Sequence, residues 1–298
     1  MRFIGLVCLL MMTSAWWAAT TGPASAADQS KDAAALMRSG TEHAARKDFK
    51  DALPDLEAAV KLAPQPDYLY ELGYVQWQSG HSDQALESFD KVLALKPNHV
   101  PALLARARAR SNDPARAKAD VDAADRIAGP KDDVRLDVGL AYDSIGELPA
   151  AIHQYDLWLA SHHKDARRVL ALDARCRALA EANQNLDEAL SDCNDAIRQM
   201  HSATFEGPDQ FIHTHPQDDP DLLGSRGFVE LRRGEYARAI KDYDGAVAGR
   251  PKSADYRFAR GLAALRAGRP DRGRADIAAA TAMDPDVAKR FAAWGLMP

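Results

Sequence analysis

The 298-residue sequence predicts an all-α fold, an α-solenoid of about seven helical hairpins that ends in a capping helix. A two-helix pattern recurs about every 34 residues, and the second helix of most copies closes on a proline, such as Pro97 or Pro251. Proline lacks an N–H and clashes with the preceding turn, so it ends a helix. A single hairpin cannot cover its own apolar face. The copies are therefore expected to stack into one elongated domain over residues 27–298.

Residues 1–26 have the pattern of a secretory signal peptide. Arg2 supplies the charged start, an apolar core extends to about Ala19, and an A-x-A cleavage site ends at Ala26. We therefore expect a periplasmic or secreted protein whose mature chain starts at Ala27. An uncleaved membrane anchor is the alternative, although the apolar run is short for a membrane span.

Small residues recur where the two helices of each hairpin are expected to cross. Backbones approach closely only where side chains are small, and in five copies a glycine lies twelve residues before the small residue of the second helix. Ala105 takes the place of that glycine in the third copy, and the fifth copy is expected to lack one residue in its turn. The small residues of the second helices are Ala52, Ala85, Ala117, Ala151, Ala189, Ala239 and Gly273. The preceding glycines are Gly40, Gly73, Gly139, Gly227 and Gly261.

These hairpins resemble the tetratricopeptide repeat over about residues 29–298, most clearly in the second, sixth and seventh copies. The second copy reads HSDQALESFDKVLALKP up to Pro97. The resemblance implies a right-handed superhelix whose concave groove binds peptides or helices of partner proteins. The Lys and Asn positions of the family's carboxylate clamp are not found in this sequence.

The first helix of the second hairpin carries a candidate binding surface. Tyr70, Tyr74 and Trp77 follow at i, i+4 and i+7 and so share one helix face, which the family register places in the groove. Arg106 and Arg110 take equivalent places in the next hairpin. Aromatic and arginine side chains are common anchors of protein interfaces, and a guanidinium group can clamp a carboxylate. The alternative is that the aromatic rings only pack against a neighbouring helix.

Two cysteines remain after the signal segment, Cys176 and Cys193, on the two helices of the fifth hairpin. Each lies about eight residues from the turn, so an antiparallel pair brings them to the same height. Export leads to an oxidising compartment, and we therefore predict a disulfide between them. Two buried thiols are the alternative. A redox enzyme is not expected, because no C-x-x-C motif is present.

An insertion of about 200–220 separates the fifth and sixth hairpins. His201, His213 and His215 lie near Asp218 and Asp219, a set that could in principle bind zinc. No helix fixes the geometry of this set, so we expect a surface loop and no metal.

The C-terminal segment is predicted to close the solenoid. Val287, Phe291 and Trp294 form one apolar stripe of a helix over about 286–295. Terminal repeats must cover the last apolar face of such an array, and this helix is expected to do so.

Charge and motifs argue against several function classes. A net charge of −5 is unfavourable for a nucleic-acid partner. The phosphate-binding, zinc-protease and serine-hydrolase motifs are absent. We therefore expect no enzyme and no cofactor, but a scaffold that binds a protein or peptide partner. The alternatives are a self-assembling structural component of the cell envelope, built from homo-oligomers, and an enzyme with an unrecognised site.

Overall fold

The computed structural model describes residues 26–110, 112–203 and 219–298. All but the last residue of the predicted signal segment, and residues 204–218 of the 200–220 insertion, lie outside the described residues. Within the described ranges every regular element is a helix. The helices are α1 (Ala26–Ala45), α2 (Phe49–Leu62), α3 (Pro66–Gln78), α4 (Ser82–Leu95), α5 (Val100–Ala109), α6 (Pro114–Ile127), α7 (Val134–Ser144), α8 (Leu148–Ser161), α9 (Arg168–Glu181), α10 (Leu186–Ala203), α11 (Pro220–Arg232), α12 (Tyr236–Gly249), α13 (Ala254–Arg266), α14 (Pro270–Met283) and α15 (Val287–Ala293).

Successive helices from α1 to α14 pack as seven hairpins, because short turns leave each second helix antiparallel to the first. Each hairpin also packs against the next along the chain. The predicted all-α solenoid is confirmed. Of the helices that the structure describes, none is both long and apolar enough to cross a membrane.

The first helices of the hairpins form an inner layer. From α1 to α13, each first helix contacts the first helix of the following hairpin. Successive second helices make no comparable contact within the described ranges. Since the first helices lie closer together than the second helices, the array curves with the first helices on its concave side.

Glycine allows the helices of a hairpin to approach at their crossing. A Cβ atom on Gly139 would lie only 2.6 Å from Cε1 of Tyr155 on the second helix. Seven residues later, Gly146 ends the first helix with a φ of 78°, a left-handed conformation that glycine adopts without strain. In four other hairpins a left-handed residue likewise lies seven residues after the crossing glycine, so the left-handed residue of a turn identifies the crossing residue.

The third hairpin crosses at Ala107 and not at Ala105, so the prediction for this copy is wrong. Ala107 packs in one buried cluster with Ala117 and Val121 of the second helix. Ala105 packs instead with Phe89 of the second hairpin. Ala117 lies ten residues after Ala107, whereas the interval is twelve in the hairpins that cross at a glycine. This hairpin therefore has two residues fewer between its crossing and its second helix.

The fifth turn has one residue more than the usual turn and not one fewer, which corrects a second prediction. Cys176 occupies the crossing, and Asn183, seven residues later, has a φ of 53°. Asn185 is also left-handed, with a φ of 44°, and the second helix begins at Leu186. In the other hairpins with a left-handed turn residue, the second helix begins two residues after it; here the interval is three.

Helix α15 covers the C-terminal end of the array. The side chains of Val287 and Phe291 are fully buried or nearly so. The Phe291 ring lies 4.8 Å from that of Phe258 on α13, and the Trp294 ring lies 5.4 Å from that of Phe228 on α11, both between centroids. These contacts extend the aromatic core from the sixth hairpin to the end of the chain.

Candidate functional site

Four first helices carry an arginine that pairs with an aspartate on the second helix of the same hairpin. In the fifth hairpin, Nε and Nη2 of Arg175 donate to the two carboxylate oxygens of Asp192 at 2.7 and 2.8 Å. Only 15% and 6% of the two side chains are exposed. Such bidentate pairs combine strength with a fixed geometry. The arginines of this type, here called the bridging arginines, are Arg106, Arg175, Arg226 and Arg260.

Each bridging arginine also reaches the preceding hairpin. Nη1 of Arg175, for example, donates to Asp156 of α8 at 2.5 Å. The acceptor always lies eight residues after the start of the preceding second helix, so the contact repeats with the fold. The four acceptors are Asp90, Asp156, Asn194 and Asp244.

Arg106 and Arg110 are therefore not free to clamp a partner, which corrects their predicted role. Nη1 of Arg106 donates to Asp90 at 2.6 Å, while its Nε and Nη2 hold Asp120. Arg110 donates to the same Asp120 at 2.8 Å. The prediction placed both arginines in the groove because it took Ala105 as the crossing residue. With the crossing at Ala107, both arginine side chains lie on the side of the first helix that faces the second helix.

Tyr70, Tyr74 and Trp77 form a continuous row of half-buried rings along α3, here called the aromatic strip. The ring centroids of Tyr70 and Tyr74 are 6.2 Å apart, and those of Tyr74 and Trp77 are 6.0 Å apart. Tyr70 also packs against Phe89 at 6.1 Å and His99 at 5.3 Å. Tyr70 thus packs in part against neighbouring side chains, which was the alternative interpretation of the aromatic residues.

Arg108 is the arginine of the third hairpin that faces the aromatic strip. It lies one residue after the crossing residue Ala107, as Tyr74 lies one residue after Gly73. Burial raises the pKa of the Tyr70 hydroxyl, and the positive charge of Arg108 opposes that rise. Arg108 forms no ion pair with another described residue. A cation without an internal partner therefore stands beside the strip.

Cys176 and Cys193 form a disulfide that joins α9 to α10, as the sequence predicts. Their Cα atoms are 5.6 Å apart, and both side chains are buried. The bond lies at the helix crossing, where the fourth hairpin has Gly139 against Tyr155. A covalent link thus replaces the contact of a glycine with a large side chain.

A cavity of about 500 Å³ lies on the inner side of the array, between α9, α11, α13 and the C-terminal cap. Aromatic rings of Phe228, Tyr256, Phe291 and Trp294 form much of its wall. A Cβ atom on Gly224 would lie 2.4 Å from Cε1 of Tyr256, so glycine at this position lets the tyrosine ring lie against α11.

Two carboxylates at the cavity have partners in the chain. Asp221 accepts a hydrogen bond from the Tyr256 hydroxyl at 2.6 Å and another from Arg250. Asp255 accepts from Nη2 of Arg290 at 2.7 Å. Both groups are therefore neutralised or hydrogen-bonded before any ligand enters.

Asp173 is less well satisfied. Its Oδ1 atom is buried and has no hydrogen-bond partner in the structure, and the nearby Ser225 side chain lowers the pKa of the carboxyl group. Burial raises the pKa of Asp173, and the charge of Arg177 only partly opposes this. Nη2 of Arg177 donates to Asp143 at 3.2 Å, so this arginine is shared with a second carboxylate.

Glu181 lies one helical turn beyond Arg177 on α9. Burial and the negative charge of Asp143 raise its pKa to about 6, and Arg177 acts in the opposite direction. Trp294 of the cap also lowers the pKa of this carboxyl group, so the cap contributes to its surroundings. Asp173 and Glu181 are therefore two carboxylates of the cavity wall whose pKa values are raised by burial.

The row of charged residues Asp173, Arg177 and Glu181 on α9 was not predicted from the sequence. Its signal is nevertheless present, since Asp173 lies three residues before the crossing residue Cys176 and Arg177 lies one after it. These are the offsets of the first two members of the aromatic strip from Gly73. Applying one register to every first helix would have placed all of them on the inner surface.

A surface cluster of His43, Asp48 and Asp51 brings three possible metal-binding atoms within 4.8 Å of one another. Nδ1 of His43 lies 3.5 Å from Oδ2 of Asp48, an ordinary surface ion-pair contact. Exposed acidic groups of this kind are common without a metal, so we assign none. Of the insertion, His213, His215 and Asp218 lie outside the described residues, as does the side chain of His201.

Comparisons with known proteins agree with the repeat architecture. A sequence model of the tetratricopeptide repeat matches residues 26–100 and 226–288. The crystal structure of a tetratricopeptide repeat protein from Parabacteroides merdae is similar with a TM-score of 0.61 and 19% identity, over 89% of this chain and 99% of that one. The APC/C hetero-tetramer Cut9-Hcn1 is similar with a TM-score of 0.60 and 15% identity, over 87% of this chain and 47% of that one.

No curated protein matches the chain. At these identities the likeness to solved structures concerns the fold alone. The family match over residues 26–100 and 226–288 identifies these parts of the chain as tetratricopeptide repeats, and the seven stacked hairpins have the fold of a tetratricopeptide repeat solenoid.

Proposed function

We propose that the protein is an exported binding scaffold whose inner surface takes up an extended or helical segment of a partner protein. Repeat arrays of this kind present long surfaces for recognition, and the family fold is typically non-catalytic. The pattern of residues 1–26 supports export.

The aromatic strip with Arg108 beside it is the observation that carries this proposal. Three half-buried rings offer apolar area that a partner can bury, and Arg108 offers a guanidinium group with no ion-pair partner among the described residues. Aromatic and arginine side chains dominate binding energy at protein interfaces. The strip lies on α3, one of the helices of the inner layer.

A photo-crosslinking amino acid placed at Tyr74 tests whether the inner surface is used. We expect a covalent adduct with a partner protein in the producing cell, because the Tyr74 ring is half-exposed on the strip. Lys91 is exposed on the second helix of the same hairpin and serves as the matched control position. Equal crosslinking from both positions would contradict recognition by the inner surface.

A triple substitution, Tyr70→Ala with Tyr74→Ala and Trp77→Ala, tests the energetic role of the strip. Each ring loses the apolar area that it would bury in a complex, so we expect affinity for the crosslinked partner to fall at least tenfold. Circular dichroism must show unchanged helicity for the result to count. Unchanged affinity in a folded triple variant would move the interface elsewhere.

Export is tested separately by cell fractionation and N-terminal sequencing. We expect the protein outside the inner membrane, with Ala27 as its first residue. A chain that remains in the cytosolic fraction with Arg2 in place would overturn the export part of the proposal and leave the binding part standing.

A further inference from the structure

We propose that the cavity between α9, α11, α13 and the cap receives the side chain of an arginine on the bound partner segment. The inference rests on the proposed scaffold function, and it names the partner chemistry that this end of the inner surface selects. A buried carboxylate oxygen without a partner, an excess of acidic groups and an aromatic wall carry it.

The first observation is the carboxylate of Asp173. Asp173 lines the cavity, and its buried Oδ1 atom has no hydrogen-bond donor. A buried polar group without a partner is costly, and native structures keep one where a ligand or a function supplies the partner. A guanidinium group brings several N–H donors in one plane and can serve a carboxylate that the chain leaves unsatisfied.

The second observation is the charge of the wall. Four carboxylates line the cavity, and Arg177 is the one cationic side chain among the lining residues, all of which are described. Arg177 already donates to Asp143 at 3.2 Å. Asp221 and Asp255 are paired with Arg250 and Arg290, so the acidic character of the wall rests on Asp173 and Glu181. These two share part of Arg177, and Arg232 outside the lining acts on Glu181 as well. A second guanidinium group that enters beside Asp173 would meet an attractive field.

The third observation is the aromatic wall. The rings of Tyr256 and Trp294 face the same cavity as Asp173 and Glu181. Planar guanidinium groups stack on aromatic faces and are less strongly hydrated than an ammonium group, so they enter such a site at a lower desolvation cost. The volume of about 500 Å³ also lies within the range of small-ligand pockets and admits a long side chain.

N-acetyl-arginine amide, added to the purified full chain, is the probe that tests this site. The blocked amino acid keeps the guanidinium group and removes both terminal charges. The indole N–H resonance of Trp294, assigned by Trp294→Phe, reports binding, because Trp294 lines the cavity. We expect saturable shifts, and at least tenfold weaker binding of N-acetyl-citrulline amide, which has nearly the same shape but no charge.

Asp173→Asn tests the carboxylate at nearly constant shape, and Asp271→Asn is the matched control on the outer helix α14. We expect at least fivefold weaker binding of the arginine probe to Asp173→Asn and unchanged binding to Asp271→Asn. Equal affinity for the citrulline probe, or an Asp173→Asn variant that binds as well as the parent chain, would overturn the inference. Shifts at other tryptophans without a shift at Trp294 would also overturn it.

Peptide pools separate this inference from the scaffold proposal. Blocked heptapeptides of random sequence are prepared with arginine, citrulline or glutamate fixed at the centre. Preference for the arginine pool, lost in Asp173→Asn, supports both proposals. Binding of all pools without preference keeps the scaffold and removes the arginine pocket. Binding of the blocked arginine alone, with no peptide bound, keeps the pocket and contradicts the scaffold.

Discussion

Arg260 of the seventh hairpin holds Asp276 by two hydrogen bonds, Nε to Oδ2 at 2.8 Å and Nη2 to Oδ1 at 2.7 Å. Its remaining nitrogen, Nη1, donates to Asp244 of the sixth hairpin at 2.9 Å. Only 15% of the arginine side chain and 9% of the Asp276 side chain are exposed. One side chain thus fixes both the fold of its own hairpin and the stacking on the preceding one.

Arg260→Ala should destabilise the protein by about 3 kcal/mol, because it leaves the buried carboxylate of Asp276 without its charge partner. Arg274, on the same hairpin, pairs with Asp271 at the surface, where 68% and 97% of the side chains are exposed. Arg274→Ala should therefore cost less than about 1 kcal/mol. Urea unfolding followed by circular dichroism measures both, and equal losses would refute the structural role of Arg260.

Loss of the Cys176–Cys193 disulfide should lower stability by about 3 kcal/mol, since the bond closes a short loop and restricts the unfolded chain. The double variant Cys176→Ser with Cys193→Ser, unfolded in urea beside the oxidised parent, measures the effect. Thiol labelling of the unfolded, unreduced parent with peptide mass spectrometry is the control. Labels on both residues would show that the bond does not form.

Glu230 should make stability depend on pH. The residue is 6% exposed, and its Oε2 atom has no hydrogen-bond partner. Burial and the nearby Asp242 raise its pKa to about 7, against the opposing charge of Arg226. The folded state therefore keeps this proton longer than the unfolded state. Stability is full below the ordinary glutamate range and falls as pH rises to about 7. At pH 8, Glu230→Gln should be more stable than the parent by about 2 kcal/mol, and at pH 4 the two should be equal.

Glu235 provides a control of opposite sign for Glu230. Hydrogen bonds from Arg233 and Arg238 lower its pKa, so its stabilising effect is present above the ordinary glutamate range and is lost on acidification. Glu235→Gln should thus be less stable than the parent at pH 8 and equal to it at pH 3. The same direction of change for both variants at pH 8 would contradict the assignment of their environments.

Asp173→Asn should stabilise the free protein while it weakens ligand binding. Burial raises the pKa of Asp173, so the ionised carboxylate destabilises the folded state at neutral pH, and a neutral amide removes that effect. We expect the melting temperature to rise by about 2 °C. Asp221→Asn should lower it, because Asp221 accepts hydrogen bonds from Tyr256 and Arg250. A fall in melting temperature for Asp173→Asn would show that the carboxylate is structural.

Local chemistry made the hairpins predictable. Prolines such as Pro97 end the second helices, and pairs such as Gly139 and Ala151 mark the crossings, because steric rules act within one or two turns of helix. The disulfide was predictable for a related reason, since two residues equally distant from a turn face each other.

Register across a changed turn was not predictable. The spacing between the first and second helix of a hairpin does not show whether a missing residue comes from the helix or from the turn. The groove position of the third hairpin was therefore assigned to Arg106, two residues before Arg108, which occupies it. The cavity acids were missed because Asp173 and Glu181 acquire their character only when α11, α13 and the cap surround them. A carboxylate on an exposed helix has the same sequence signature as one that is enclosed.

The bridging arginines also determine how the array comes apart. Side chains link the second through seventh hairpins at every junction, with Arg135 joining Asp125 to Gln154 where no bridging arginine is present. Within the described ranges, no ion pair or side-chain hydrogen bond joins the first hairpin to the second. The first hairpin is held to the second by apolar packing alone, so we expect fraying to begin at the N-terminal hairpin, next to the aromatic strip. A partner would therefore bind a less stable surface at the N-terminal end of the array and a more rigid surface at the cavity.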